Sequence, residues 1–284
     1  MFVIIGIVVV LGCVAGGFVL SHGELAALWQ PYELLVIGGA AFGAFLISNP
    51  PGLVKKVLGA LPGLLKGSPY GQAFYMDALA LMYEVLAKAR KGGMMSIEAD
   101  VEDPRASELF KKFPRIVGDH HVLEFITDYL RLMAAGSITR PHELDALIDV
   151  ELDSHAAEGH EPAAALTRVS DGLPGFGIVA AVLGIVITMG AIGGPPEEIG
   201  HHVAAALVGT FLGILLAYGF VGPLAVLLEH GAAAEGQVLR CLKSILVAAL
   251  AGYAPQIAVE FGRKAISHDL RPSFAELENR IKGR

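Results

Sequence analysis

Four long runs of apolar residues constrain this chain more than any other feature of its sequence. Residues 2–20 contain no charge, and a shorter run at 34–48 is long enough to cross a bilayer if it begins near Pro31. Two further uncharged runs follow at 172–194 and 203–228. A helix needs about 20 apolar residues to cross the hydrocarbon core of a membrane. The sequence therefore predicts an all-α membrane protein with four transmembrane helices in two hairpins.

The composition supports this class. Hydrophobic residues make up 54% of the chain and charged residues 17%, and the 35 glycines are unusual for a soluble domain of 284 residues. The two cysteines have no spacing that suggests a disulfide framework or a metal site. No Lys or Arg precedes the first apolar run, so we interpret it as a retained helix and not as a secretory signal.

The basic residues predict the orientation. All 21 Lys and Arg residues lie between Lys55 and Arg168 or between Arg240 and Arg284, and neither hairpin link contains one. The positive-inside rule then places both termini and the region of about 50–171 in the cytoplasm. The sequence therefore predicts four regions. They are a first transmembrane hairpin (1–49), a cytoplasmic helical domain (50–171), a second transmembrane hairpin (172–228) and a cytoplasmic C-terminal helical region (229–284).

Small residues recur on the faces of the apolar runs. Glycine pairs that stand four residues apart include Gly12 and Gly16, Gly39 and Gly43, and Gly209 and Gly213. This spacing lets helices approach closely, and in a membrane such packing drives association. The pairs predict helix contacts within one chain, and an oligomer interface is the alternative.

Between the hairpins the pattern is amphipathic and helical. Apolar residues recur every three or four positions in 73–91, 122–134 and 142–157, and again in 237–252 after the last apolar run. Breaks are expected at Gly92–Gly93, Asp103–Pro104, Phe113–Pro114 and Pro141. We expect several short helices here, a fourth span that extends into the cytoplasm, and less order towards Arg284.

Catalytic and ligand-binding patterns do not emerge from the sequence. It contains no phosphate-binding glycine loop, no nucleophile elbow and no zinc-ligand spacing. The histidine pairs His120–His121 and His201–His202 are expected to be solvated, because neighbouring residues on a helix point apart. No basic stripe suggests nucleic acid. We expect no enzyme, no cofactor and no metal.

Neither of the two late spans contains a charged residue, and Glu33, near the outer end of span two, is expected to be interfacial. Ionisable groups inside a bilayer are costly and mark ion pathways. If this chain conducts ions, another chain must supply the titrating carboxylate. The polar residues that remain to line a pathway, or to bond back to their own helix, are Ser48, Thr188, Thr210 and Tyr218.

Over nearly its whole length the chain resembles the MotA/PomA family of flagellar stator proteins, and in particular the proton-driven type. The segments that carry the resemblance are GELAALWQPYEL, LMYEVLAKARKGGMMSIEADVEDPRASELF, DGLPGFGIVAAVLG, ALVGTFLGILLAYGFVGPLA, GYAPQIAVEFGRK and RPSFAELE. The resemblance implies a pentameric ring in the inner membrane around the helices of a MotB-type partner, which grips peptidoglycan. The partner would supply the missing aspartate, and the cytoplasmic domains would push on the rotor protein FliG.

The resemblance also implies roles for particular residues. Arg90 and Glu98 match the charged pair that engages FliG, and Glu151 matches a weaker acidic contributor, although Val150 interrupts the acidic run beside it. Without the resemblance, such charges would be interpreted as a solvated surface. Pro174 and Pro223 match the two prolines that couple ion movement to the cytoplasmic domain; the alternatives are a helix start and a helix kink.

Ion choice depends on one position. Sodium-driven relatives have a threonine where this chain has Ala181, whereas Thr210 is shared by both types. A hard cation such as sodium needs oxygen ligands in place of its water. The resemblance therefore implies protons as the driving ion.

Two other functions remain open at this stage. The first is an energising subunit of the ExbB or TolQ type, which resembles this chain less because it has three spans and lacks the context of Arg90 and Glu98. The second is a membrane scaffold that conducts nothing, in which Thr210 and Pro223 are replaceable.

Overall fold

The computed structural model describes residues 2–65, 67–190, 192–193 and 195–282, without the side chain of Glu198. All regular structure in this part of the chain is helical. Gly194, the predicted end of span three, lies outside the described residues, as do Met1 and the last two residues. The helices are α1 (Phe2–Leu20), α2 (Leu25–Leu28), α3 (Pro31–Ser48), α4 (Pro51–Leu64), α5 (Gln72–Gly92), α6 (Glu98–Glu102), α7 (Pro114–Val117), α8 (His120–Ala134), α9 (Pro141–Gly190), α10 (Pro196–Leu216), α11 (Gly222–Leu250), α12 (Pro255–Ala265) and α13 (Phe274–Ile281).

The expected breaks coincide with helix ends. Helix α5 ends where Gly93 adopts a φ of 80°, a conformation that favours glycine. Helix α6 ends before Asp103, and Pro114 and Pro141 begin α7 and α9. A proline is tolerated at the first helical position because that residue has no helical partner for an N–H group.

The structure divides the chain into two compact units. Unit 1 comprises Met1–Gly67 and Glu158–Gly231, and unit 2 comprises Ser68–Ala157 and Ala232–Arg284. The first boundary lies between α4 and α5 and the other two lie inside α9 and α11, whereas the boundaries predicted from sequence follow the ends of the apolar runs. The two divisions differ because the structural units follow packing, whereas the predicted domains follow charge. The predicted domains remain a prediction.

Four helical stretches are long and apolar enough to cross a membrane. They are Phe2–Leu20, Leu25–Ser48, Pro141–Gly190 and Ile199–Leu250. Helix α1 buries none of its residues within the protomer, and its side chains are apolar throughout. This arrangement is stable only where lipid or other protein surrounds the helix.

Helices α9 and α10 approach each other through glycines in unit 1. A Cβ atom added at Gly213 would lie 2.7 Å from the carbonyl oxygen of Leu173, and one added at Gly177 would lie 3.0 Å from the carbonyl oxygen of Gly209. Further along, a Cβ at Gly184 would lie 2.8 Å from the Cβ of Ala206. We call this contact the α9–α10 seam. The prediction that Gly209 and Gly213 pack within one chain is therefore confirmed.

The other two glycine pairs have no such contact. A Cβ atom added at Gly12, Gly16, Gly39 or Gly43 would meet no atom within 4 Å among the described residues of the protomer. The close-packing faces of α1 and α3 are thus free for contact with other chains or with lipid, and the predicted oligomer interface stays open for them.

Unit 2 is built around α5, whose buried side chains belong to one hydrophobic core shared with α8, α11 and α12. Asp77 is buried in α5 and accepts hydrogen bonds from Arg115 at 2.7 Å and from Arg280 at 3.3 Å. A buried carboxylate is tolerated when charged donors satisfy it. The bond from Arg280 also holds α13 against α5.

The expectation of less order towards the C-terminus was wrong for residues 274–281, which form α13. Ser273 accepts a hydrogen bond from the Glu276 backbone at 3.2 Å, and Glu276 accepts one from the Ser273 backbone at 2.7 Å. This capping box satisfies backbone donors at the helix start, and Leu277 is buried in the core. The polar composition of this segment gave no sign that Leu277 would be buried.

Replacing Gly213 tests the seam. We expect Gly213→Ala to destabilise unit 1 by about 1–3 kcal/mol, because the new methyl group overlaps the backbone of α9. Gly200→Ala, in the same helix but with nothing within 4 Å of the new atom, is the control and should not destabilise the protein. Free energies of unfolding in mixed detergent–SDS micelles measure both; equal effects of the two variants would contradict the seam.

Candidate functional site

The predicted rotor residues Arg90 and Glu98 flank the turn that joins α5 to α6. Arg90 lies in the last turn of α5, and Glu98 is the first residue of α6. Between them the chain forms a short 3₁₀ turn, Met94–Ile97, whose Ile97 is fully buried. Both charged side chains are exposed. The structure thus places the predicted pair on one connection of unit 2.

A partly buried network of polar side chains fixes this connection. Lys88 and Asp100 form an ion pair at 2.5 Å, and Asp100 also accepts a hydrogen bond from Ser107 at 2.6 Å. Burial alone would raise the pKa of Asp100, but hydrogen bonds from Lys88 and Ser107, together with the Lys88 charge, lower this pKa below its usual value. Asp100 is therefore ionised at neutral pH and holds α5 against α6.

Arg90 and Glu98 take no part in this network. Within the described residues neither side chain has an ion-pair or hydrogen-bond partner, whereas several other charges of unit 2 are paired within the protomer. These pairs include Lys112 with Glu84 at 2.6 Å and Arg131 with Glu102 at 2.7 Å. The two candidate residues therefore present free charges on a fixed backbone.

Glu151 lies elsewhere on unit 2, and its side chain has a hydrogen-bond partner. Its carboxylate accepts a hydrogen bond from the Tyr129 hydroxyl. Burial of Tyr129 and this carboxylate raise the pKa of the tyrosine above its usual value, so the hydroxyl remains a donor. The neighbouring Val150 is exposed, as expected for an interrupted acidic patch. Glu151 thus has a structural contact that Arg90 and Glu98 lack.

Ala181 and Thr210 both lie at the α9–α10 seam of unit 1, Ala181 near Gly209 and Thr210 near Gly177. A Cβ atom added at Gly209 would lie 3.4 Å from the Ala181 nitrogen, and one added at Gly177 would lie 3.3 Å from the Thr210 Cα. Thr188 donates a hydrogen bond to its own helix at Gly184, at 2.8 Å. Among the described atoms, no comparable partner lies near the Thr210 hydroxyl, so the local back-bonding considered for Thr210 is not observed.

Glu33 also reaches this seam. A Cβ atom at Gly209 would lie 3.4 Å from the Glu33 Cγ, and the glutamate side chain is half-buried. Sequence reasoning treated Glu33 as interfacial. No sequence signal could have placed its carboxylate beside Gly209, because α3 is remote from α10 along the chain.

Pro174 and Pro223 lie inside helices. Pro174 is an interior residue of α9, so the alternative of a helix start at this position was wrong. An interior proline removes one backbone hydrogen bond and crowds the carbonyl group four residues earlier, and a membrane helix tolerates this where neighbouring helices satisfy the freed group. Pro223 directly follows a π-helical segment, Ala217–Val221, and Gly222. Such segments release the regular backbone bonding and recur at functional sites.

Ser170 connects the two proline regions. Its hydroxyl, four residues before Pro174, donates a hydrogen bond of 2.9 Å to the carbonyl oxygen of Ala217, the first residue of the π-helical segment. A Cβ atom at Gly222 would lie 3.2 Å from the Ser170 hydroxyl, so a side chain at 222 would obstruct this bond. Sequence reasoning missed Ser170, since a lone serine before an apolar run carries no signal.

One group of side chains in unit 2 is suited to holding a metal ion. It consists of His121, His155 and Glu235. None of the three is a predicted rotor or seam residue. They lie too far apart in the sequence for the spacing rules that identify metal sites.

Comparison with known protein families identifies the class of this protein. Residues 4–93 match the family described as Motility protein A N-terminal, and residues 120–240 match the MotA/TolQ/ExbB proton channel family. Together with four apolar helical stretches, these matches define an ion-channel subunit of the membrane.

Individual relatives narrow the class. Motility protein A of Escherichia coli (strain K12) is 48% identical over 282 residues, which cover 99% of this chain and 95% of the relative. Chemotaxis protein LafT of Vibrio parahaemolyticus is 40% identical over 274 residues, covering 96% of each chain. The chain therefore belongs to the Motility protein A family, whose members are flagellar stator subunits and not enzymes. The resemblance noted in the sequence is confirmed.

Two solved structures share the fold. A chain of the C. jejuni MotAB structure matches with a TM-score of 0.78 at 18% identity, covering 96% of this chain and 98% of that one. A chain of the flagellar MotAB stator complex from Bacillus subtilis matches with a TM-score of 0.70 at 23% identity, covering 90% and 92%. The all-helical architecture is thus that of known stator proteins.

Removing the Ser170 hydroxyl tests the contact between α9 and the π-helical segment. We expect Ser170→Ala to lower the free energy of unfolding by about 1 kcal/mol, the usual size for a hydrogen bond between membrane helices. Thr188→Ala is the control, because its hydroxyl bonds only to its own helix and should matter less. Unfolding in detergent–SDS mixtures measures both; a larger loss for Thr188→Ala would contradict the interpretation.

Proposed function

We propose that this chain conducts protons together with a MotB-type partner and converts the proton gradient into force on the rotor protein FliG. The observation that carries the proposal is 48% identity to a motility protein over almost the whole chain. Moving one elementary charge through 100 mV releases about 2.3 kcal/mol, so a few protons supply enough energy for a mechanical step.

The distribution of charge supports a division of labour with the partner. The apolar runs 172–194 and 203–228 contain no ionisable carboxylate, although a proton pathway needs one. The partner supplies the titrating aspartate, and its periplasmic domain holds peptidoglycan. Two chains that share this fold belong to MotAB assemblies, which is consistent with such a partner.

The free glycine faces support a ring of copies. Helix α1 buries nothing within its protomer, and Gly39 and Gly43 leave open space on α3. Closely packed neighbours would fill such faces. By family resemblance the ring has five copies. In each copy the four spans form two hairpins, and both termini lie in the cytoplasm.

The seam provides the chain's contribution to the ion pathway. Thr210 retains a hydroxyl without a local partner, Ala181 adds no oxygen ligand, and Glu33 brings a carboxylate to Gly209. One hydroxyl and one carboxylate can exchange protons with water, but they are too few to replace the water shell of a sodium ion. This small set of polar groups at the seam supports protons as the driving ion.

Pro174 and Pro223 act in coupling. Each proline interrupts the backbone bonding of a helix that carries one of the late apolar runs, and Ser170 joins their two regions through Ala217. A small shift at the seam can therefore change the curvature of α9 and α11 at defined positions. Both helices contribute residues to unit 2 as well as to unit 1.

Arg90 and Glu98 engage the rotor. They are exposed and free, while the network of Lys88, Asp100 and Ser107 fixes the backbone on which they stand. An exposed charge pair forms and breaks rapidly, which suits a moving interface. Glu151 contributes less, since the Tyr129 hydroxyl already occupies its carboxylate.

Adding an oxygen ligand tests the ion choice. We expect Ala181→Thr to introduce dependence of motor torque on sodium, because the substitution adds an oxygen ligand at the seam that also carries Thr210. Val182→Thr is the control, since Val182 is exposed on the outer face of the same helix. Torque on tethered beads, with sodium and the proton gradient varied separately, measures the effect. Sodium dependence in the unchanged chain would overturn the proton proposal.

Charge reversal tests the rotor contact. In cells that lack their own subunit, we expect Arg90→Glu and Glu98→Lys each to weaken the contact with FliG by about 1 kcal/mol, or roughly fivefold. Torque should fall while the protein remains in the membrane. Lys111→Glu is the control, because Lys111 is already paired with Glu108 at 2.7 Å.

Torque that ignores both reversals would contradict the rotor contact, and full motility without this chain, or torque that also ignores both ion gradients, would favour the scaffold alternative. A chain that conducts ions but never restores swimming would instead favour an energising subunit of the ExbB or TolQ type.

A further inference from the structure

Two histidines and a glutamate converge in unit 2 from distant parts of the sequence. His121 lies in α8, His155 in α9 and Glu235 in α11. Their candidate ligand atoms all lie within 4.8 Å of one another. Among the described residues, this is the one group of three His, Cys, Asp or Glu side chains placed closely enough to share a metal ion.

The distances fit a small transition-metal ion. Glu235 Oε1 lies 2.8 Å from His121 Nδ1 and 3.5 Å from His155 Nε2. Zinc binds imidazole nitrogen and carboxylate oxygen at about 2.0–2.2 Å, so that two ligand atoms on a tetrahedron stand about 3.3 Å apart. The two observed distances lie on either side of this value.

The ligand chemistry narrows the type of metal. Two imidazoles and one carboxylate suit zinc and its neighbours in the first transition series, whereas calcium and magnesium prefer a shell of oxygen atoms. Three protein ligands leave a fourth tetrahedral position for water. Side-chain exposure falls from 65% at His121 to 23% at His155 and 19% at Glu235, so that solvent can reach the group from the His121 side.

Local structure holds His121 in place. Asp119 caps α8 by accepting a hydrogen bond from the Val122 backbone at 3.1 Å, and the Tyr70 hydroxyl donates to Asp119 at 2.9 Å. Burial of Tyr70, followed by the negative charges of Glu235 and Asp119, raises the pKa of the tyrosine above its usual value, so it stays a donor. The first turn of α8 is therefore fixed before any ion binds.

We propose that His121, His155 and Glu235 form a binding site for a divalent transition-metal ion of the zinc type. The bound ion joins α8 to α9, which carries the third apolar run, and to α11, which contains the end of the fourth, and stabilises unit 2. The competing explanation is a hydrogen-bonded cluster in which Glu235 serves the two histidines without metal. The proposal does not depend on the motor function, because binding is measurable on the purified chain.

Cobalt titration of the purified full-length protein tests the site. After treatment with a chelator, we expect the unchanged chain to bind one Co²⁺ with visible absorption bands of low-symmetry coordination, and Zn²⁺ to displace it. His155→Ala and Glu235→Gln should each weaken binding at least about tenfold, since each removes a ligand. His120→Ala is the matched control, because this neighbour faces Glu124 at 3.3 Å and lies outside the group; it should bind as the unchanged chain does.

Thermal unfolding gives a second readout that does not depend on cobalt. A hundredfold excess of Zn²⁺ over its dissociation constant should raise the unfolding midpoint of the unchanged chain by roughly 5 °C and leave that of Glu235→Gln unmoved. The shift on adding metal is compared within each variant, so that a lower starting midpoint does not matter. Absence of binding, or equal binding by all variants, would overturn the proposal.

Discussion

The close contact between α9 and α10 is the interaction on which the apolar part of the molecule depends. Lipid chains are as apolar as leucine side chains, so membrane helices associate through packing and hydrogen bonds and not through the hydrophobic effect. Gly177 and Gly213 bring the two backbones together, and this places Ala181 near Gly209 and Thr210 near Gly177. The same contact brings Glu33 to Gly209 and leaves Ser170 within reach of Ala217. A bulky residue at any of these glycines would separate all of these groups.

Unit 2 solves a different problem, which is to satisfy its buried charge while other charges stay free at the surface. Its core encloses α5, and the buried Asp77 is neutralised by Arg115 and Arg280. Lys88 and Asp100 are used for structure, whereas Arg90 and Glu98 are left exposed on the same connection. An interface that must form and break repeatedly benefits from this separation, because partner contacts do not compete with the bonds that maintain the fold.

Most of the helical pattern could be predicted from the sequence, since it depends on local chemistry. Gly93, Pro114 and Pro141 ended or began helices where their backbone preferences required it. Prediction failed where a few tertiary contacts decided the outcome: α13 is anchored by Leu277 and Arg280, and Pro174 lies within a continuous helix. The predicted roles of Arg90, Glu98, Glu151, Ala181, Thr210 and both prolines came from family resemblance, and the structure adds their surroundings.

The sequence by itself determined the class of this protein. Apolar length and the placement of basic residues follow from the cost of moving polar groups into lipid, which acts on every residue independently of its distant neighbours. The tertiary structure alone decided which side chains meet. The sequence contains no ligand spacing typical of a metal site, yet His121, His155 and Glu235 converge because three helices pack side by side. Glu33 reaches Gly209 for the same reason: contacts between helices depend on how faces fit, and this information is distributed over residues far apart in the chain.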